Sequence, residues 1–289
     1  MLTAPVNLGG RALFVTGAAS TSRRMRNWLP FLRSRPTVAV VRLNGAIGMS
    51  GRGGLNDDGI GPVLEKAFTK GKPAAVALLI NSPGGSPVQS ALIGARIRRL
   101  ADKHKVPVLA FVEDVAASGG YWLAASADEI FADASSIVGS IGVISAGFGA
   151  HLFLARNGIE RRVHTAGQSK SMMDPFRPEK DEDVARLKDL LGQIHENFID
   201  HVRTRRGDRL SAERDLFTGE VWLGAQAHAL GLIDGIGHLR PVIDARFGDK
   251  VRLRRYGQKK PLVARLGARL MADAEGLIEE RAAFARFGL

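Results

Sequence analysis

Apolar residues recur along this chain in short runs broken by Gly and Pro, a rhythm of buried strands alternating with helices. Thr37–Leu43 alternates into a strand, followed by the Gly-rich stretch Gly45–Gly54 and a helix near Gly61–Thr69. Val76–Ile80 is too short for a helix before Pro83, so it reads as a buried strand entering the turn Asn81-Ser-Pro-Gly-Gly and then a helix over Val88–Ala101. Pro107 sets the start of a strand over Val108–Val112, and Gly119–Ser126 reads as a buried helix. Glu129–Ala132, Ile137–Ile144 and Arg161–Thr165 read as further short strands, and His151–Asn157 and Glu182–Arg205 as helices. The second of these helices carries Leu187, Leu190, Leu191, Ile194 and Phe198 on one face, a stripe assigned to core packing. Pro261–Phe287 reads as a basic amphipathic helix. The β-β-α rhythm predicts an α/β fold, a spiral of turns with helices packed outside.

Three segments carry candidate chemistry. Asp114-Val-Ala-Ala-Ser-Gly-Gly-Tyr121 puts a single hydroxyl, Ser118, at a strand-to-helix turn among small neighbours, where it either caps the helix or stands clear as a nucleophile. Asn81-Ser-Pro-Gly-Gly85 is a glycine turn beside a helix start, a source of backbone N–H groups for an oxyanion. Lys170 lies in a polar loop of small residues. A lysine desolvated in an apolar site can act as base to a serine, and a Ser–Lys dyad needs neither His nor Asp.

These segments, in this order, resemble the signal peptide peptidase SppA family of serine–lysine peptidases, which has the ClpP/crotonase-like fold. The resemblance runs through Asn81-Ser-Pro-Gly-Gly, Ala117-Ser-Gly-Gly-Tyr, Val138-Gly-Ser-Ile-Gly-Val143, Lys170 within Gln-Ser-Lys-Ser-Met-Met-Asp-Pro-Phe, Gly219-Glu-Val-Trp-Leu-Gly-Ala-Gln-Ala227 and Gly231-Leu-Ile-Asp234. It implies Ser118 as nucleophile, Lys170 as general base, Ser140 as the residue that hydrogen-bonds the lysine, and the amides of Gly85 and Gly119 as the oxyanion hole. It also implies apolar, extended peptide substrates such as remnant signal peptides, and a homo-oligomer in which the dyad closes within one subunit or between two. Crotonase-type acyl-CoA enzymes share the fold, and a non-catalytic membrane-associated scaffold would share the turns; both stand as alternatives.

Composition narrows the classes. The chain has 289 residues, 45% of them hydrophobic, and no cysteine, which excludes disulfides and thiolate catalysis. The seven histidines show no metal-ligand spacing and no phosphate-binding loop is present, so neither metal nor cofactor is expected. Residues 1–50 carry seven arginines and no carboxylate, and residues 250–289 carry ten Lys/Arg against four Asp/Glu. With a net charge of +12 overall, the body between these ends is near neutral. Basic ends with few aromatics point to peripheral contact with anionic membrane before nucleic acid, with simple solubility as the alternative to both. No apolar run reaches the ~20 residues of a spanning helix, which suggests a cytoplasmic protein at or near the inner membrane surface. The expected organisation is a basic, poorly ordered segment over 1–35, a peptidase domain over 36–248, and a basic strand with a C-terminal helical arm over 249–289. Met1 and Met25 both stand as the start.

Overall fold

The computed structural model describes residues 35–48, 55–167, 169–257 and 281–289. The basic segment before Arg35 and most of the Pro261–Phe287 helix lie outside the described residues; within the latter, residues 281–285 are helical.

Strands β1 (Thr37–Asn44), β2 (Ala75–Ser82) and β3 (Val108–Ala117) lie side by side in parallel, with helices α1 (Asp57–Thr69) and α2 (Pro87–His104) in the crossovers. Every residue of β2 except Asn81 is buried, as a strand covered on both faces requires. Both helices start where the sequence supplies a cap: Asn56 accepts from Gly59 N at 2.8 Å, and Ser86 accepts from Gln89 N ahead of Pro87.

Strand β3 is the branch point of the fold. Leu109–Val112 pairs with β4 (Glu129–Ala132), whereas Val115–Ala117 pairs with β5 (Ile137–Gly139). One strand thus pairs with different neighbours at its two ends, and the short helix α3 (Gly119–Ala125) packs on β3 and β2. Beyond it come α4 (His151–Arg156), the long α5 (Asp181–Arg206), β6 (Val221–Leu223), α6 (Gly224–Ala229), β7 (Gly235–Ile236), α7 (Leu239–Phe247) and β8 (Arg252–Tyr256). The sheet runs β6-β5-β3-β2-β1-β8, with β4 and β7 branching from β3, and only β5–β6 is antiparallel. This is the spiral of β-β-α turns that the sequence led one to expect. β8 pairs with β1 over Thr37–Val41 and is hydrogen-bonded into the same sheet.

Three local expectations are corrected. Arg161–Thr165 forms no strand: four of its five residues are exposed and no neighbouring edge offers a ladder. The strand expected over Ile137–Ile144 stops at Gly139, because Gly139 and Ser140 both take positive φ, 110° and 52°, and turn the chain away. The apolar stripe of α5 is not core throughout. Phe198 is buried, together with Ile199 and Val202, but Leu187, Leu191 and Ile194 are only half-buried and Leu190 is exposed.

A buried ion cluster ties the C-terminal end of α5 to the turn before β7. Arg206, 3% exposed, donates to Asp234 Oδ2 at 2.7 Å and to the Gly231 carbonyl, while Asp234 also accepts from Ile130 N and Arg209. The fully buried Tyr121 donates to the neighbouring Leu232 carbonyl at 2.8 Å, so the cluster anchors α3 as well. Burial works to raise the Asp234 carboxyl, but the Arg206 hydrogen bond and charge outweigh it and hold the group below its ordinary 3.8. The pair therefore stabilises the fold above pH 3.8, and the contribution is lost as pH falls through the depressed folded value. Asp234→Asn strands a buried guanidinium and should cost about 3 kcal/mol in urea unfolding near neutral pH. The gap to wild type should close in acid below the ordinary carboxylate range; an equal gap at both pH values would contradict this assignment.

Candidate active site

Ser118 stands where β3 ends and α3 begins, with φ 52° and ψ −122°. Few non-glycine residues adopt such a backbone, and it is held from both sides: Ser118 N–H donates to the Gly139 carbonyl at 2.8 Å, and its own carbonyl accepts from Trp122 N at 3.0 Å. Although Ser118 occupies the N-cap position of α3, its side chain makes no capping hydrogen bond. The capping role open to it on sequence grounds is therefore not used, and the hydroxyl is half-exposed on a cavity of about 460 Å³.

The glycine turn after β2 packs directly against this serine. A Cβ on Gly84 would lie 2.8 Å from the Ser118 Cβ, and one on Gly85, at φ 144°, would lie 2.1 Å from the Ile47 carbonyl oxygen, so neither position admits a side chain. Ile47 stitches the turn in place, donating to the Gly84 carbonyl and accepting from Ser86 N, each at 2.8 Å. Gly85 and Gly119 both line the cavity beside Ser118. Neither of their N–H groups donates to a protein acceptor among the described residues, which leaves two backbone donors next to the hydroxyl.

The remaining walls come from β5, α3 and α5. Ser140, again at positive φ, donates its N–H to the Glu220 carbonyl at 2.7 Å and lines the same cavity, as do Trp122, Val143, Ile144, Ile194 and Phe198. Helix α5 fixes this wall with two histidines. His195 Nε2 donates to the Ile141 carbonyl at 3.0 Å, beside Ser140, and His201 Nε2 to the Trp122 carbonyl at 3.1 Å. The His201 ring also stacks on the Trp122 indole, 4.4 Å between centroids at 6°. The two histidines were missed in the sequence, where their spacing three residues either side of Phe198, on the face already assigned to core packing, is the signal.

Ser118, Gly85, Gly119 and Ser140 therefore converge on one cavity, and Lys170 does not join them. Lys170 sits exposed in a turn, its N–H donating to the Gly167 carbonyl at 3.3 Å. Among the described residues, no histidine, carboxylate or lysine lines the cavity; its ionisable neighbour is Arg286. A guanidinium stays protonated and cannot serve as base. The segment between β5 and α5 that carries Lys170 is rich in uncovered apolar side chains: Phe148 is 73% exposed, Leu152 69% and Phe153 63%. Among the described residues there is no cluster of metal-ligating side chains, and no helix is long and apolar enough to cross a membrane.

Residues 100–249 match the description Peptidase family S49. A putative protease of Synechocystis is 30% identical over 262 residues, covering 86% of this chain and 92% of the relative. A putative signal peptide peptidase SppA of Enterococcus faecium is 28% identical over 218 residues, 73% of this chain and 63% of the relative. A protein of Brucella abortus that bears the name Na(+)/H(+) antiporter NhaA is 48% identical over 271 residues, covering 87% of this chain. This chain spans 37% of the length of that Brucella relative, whose name describes the longer protein.

Burial pushes the His201 imidazole down to about 4 from its ordinary 6.5, against the Trp122 carbonyl bond and with help from the Arg205 charge. Below pH 6.5 the unfolded chain binds a proton there that the folded protein refuses, so stability should fall as pH drops from 6.5 toward 4. The full span amounts to about 3 kcal/mol. His201→Phe should flatten the slope across that window in denaturant titrations, and an unchanged slope would show that another group sets it.

Proposed function

Because the chain belongs to Peptidase family S49, we propose that it is a serine endopeptidase that cleaves apolar, extended peptides such as remnant signal peptides, with Ser118 as nucleophile and Lys170 as base. The observation that carries the reading is the strained Ser118 hydroxyl beside two unengaged backbone amides in a cavity walled by Trp122, Val143, Ile144, Ile194 and Phe198. Those walls suit an apolar side chain. The peptidase family removes the motive for an acyl-CoA reading, and a hydroxyl that forgoes its cap argues against a merely structural turn.

Each step balances in protons. The neutral Lys170 amine takes the Ser118 Oγ proton as Oγ attacks the scissile carbonyl, and the Gly85 and Gly119 amides receive the developing oxyanion. The tetrahedral intermediate collapses as Lys170 returns that proton to the leaving amine, which departs and leaves an ester on Ser118. Water then attacks the ester, giving its proton to Lys170, and collapse restores the serine hydroxyl and the free amine. Ser140 serves as a hydrogen-bond partner that orients the lysine.

Since no base reaches Ser118 within the described chain, Lys170 is supplied by a second copy. The exposed Phe148, Leu152 and Phe153 support this, because an uncovered apolar surface of that kind marks a contact. Covering it would also strip water from the lysine, which favours the neutral amine.

Ser118→Ala and Lys170→Ala should each lower kcat by at least roughly 10⁴-fold, and Lys170→Arg should match Lys170→Ala, since guanidinium cannot release its proton. Mixing the two inactive alanine variants should restore part of the activity, because some contacts then pair an intact serine with an intact lysine. If tagged mixed oligomers form and remain as inactive as either parent, the shared site is wrong. A His195→Ala or His201→Ala variant as inactive as Ser118→Ala, with Lys170→Arg active, would overturn the dyad.

A further inference from the structure

The serine cavity sits at the carboxyl ends of β2 and β3, and the opposite end of the same strands differs in kind. There the last turns of α1 and α2, and the loops leading into β2 and β3, gather Lys66, Lys70, Lys72, Arg99, Lys103 and Lys105, all exposed. The carboxylates among them are paired with other arginines: Glu65 with Arg96 at 3.1 Å and Asp102 with Arg98 at 2.9 Å. Lys66, Arg99, Lys103 and His104 converge, with Glu65, on a cleft of about 590 Å³ between the two helices. With Glu65 already paired to Arg96, the excess of positive charge there favours a further anion.

Helix dipoles account for part of the pattern, since cations are stabilised in a helix's last turn. They do not account for Lys72 and Lys105. Both lie past the helix ends in left-handed backbone, at φ 48° and 53°. Lys105 is the C-cap of α2, where glycine is the unstrained choice. At both positions the chain keeps a charge at the expense of backbone comfort, and neither charge holds an ion pair among the described residues.

We propose that this end of the fold is a docking face for an anionic phospholipid surface. No Phe, Tyr or Trp lines the cleft to stack a nucleic-acid base, whereas headgroup phosphates ask only for cations and donors. The inference rests on the fold and its charges alone, and is independent of the peptidase reading. A protein docked this way holds its serine cavity on the far side, roughly 25 Å from the headgroups for strands of this length.

Flotation of the full chain with vesicles tests it. Binding is expected to equimolar phosphatidylglycerol and phosphatidylcholine, not to phosphatidylcholine alone, with release as salt shortens the Debye length. The combined change Lys66→Gln, Arg99→Gln, Lys103→Gln should weaken partitioning about a hundredfold without altering circular dichroism or Tm. The parallel change Arg23→Gln, Arg24→Gln, Arg26→Gln in the basic N-terminal segment should weaken it less. Lys105→Gly separates charge from structure, because it should raise Tm by relieving the backbone while lowering vesicle binding. Undiminished binding by the triple Lys/Arg variant, equal binding to neutral vesicles, or tighter binding to a single-stranded oligonucleotide than to anionic vesicles would overturn the proposal. Peptide hydrolysis measured on the same variants reads out the serine site separately, so either reading can fail without the other.

Discussion

Ser118 keeps a backbone conformation that costs a non-glycine residue about 1 to 3 kcal/mol, and the site exists because its neighbours leave it no alternative. Its N–H is bound to Gly139 on β5 and its carbonyl to Trp122 on α3, while the Gly84 turn closes over its Cβ. Each restraint comes from a different element, so the serine is fixed by the meeting of three pieces of chain. The same convergence leaves the Gly85 and Gly119 amides without a protein acceptor among the described residues, beside the cavity that Ser118 lines. Placing hydrogen-bond donors around a future charge before any ligand arrives is the preorganisation that acyl-transfer chemistry draws on.

The wall of that space is held by a second set of restraints. Arg206 and Asp234 lock the far end of α5, Tyr121 ties α3 to the same cluster, and two histidines bond the carbonyls of Trp122 and Ile141. Burial fades toward the start of α5 and through α4, where the apolar residues lose their cover. The described residues thus divide into a closely packed body that holds the Ser118 hydroxyl and the amides and a thinly packed segment that holds Lys170. In the reading proposed above, that segment gains its cover from another copy of the chain.

Much of the closely packed body was legible in the sequence. The run before Asn81-Ser-Pro-Gly-Gly read as a short buried strand because Pro83 left no room for a helix, and Gly119–Ser126 read as a buried helix. Local chemistry showed Ser118 only as a hydroxyl at a strand-to-helix turn, open to capping or to standing clear, and its pairing with the glycine turns came from the family resemblance. The fate of the α5 stripe was not legible. Periodicity reveals that Leu187, Leu190 and Ile194 share a face but carries no record of what covers it, and half of that face meets no core. Arg161–Thr165 failed because a strand needs a partner edge that its own residues cannot supply. The branching of β3 was hidden too, since only the exposed Asp114 with its half-exposed neighbour Glu113 marks the switch between ladders.

That branching has a consequence for how the protein comes apart. A strand that pairs with different neighbours at its two ends is not freed by the loss of either, because peeling β5 away from Val115–Ala117 strips the support from Ser118, and peeling β4 from Leu109–Val112 exposes the heart of the main sheet. Partial opening is thereby confined to the periphery. Amide protons of the paired stretches Leu109–Val112 and Val115–Ala117 should therefore exchange with solvent chiefly through unfolding of the whole body, which makes this strand the expected slow-exchanging unit of the molecule.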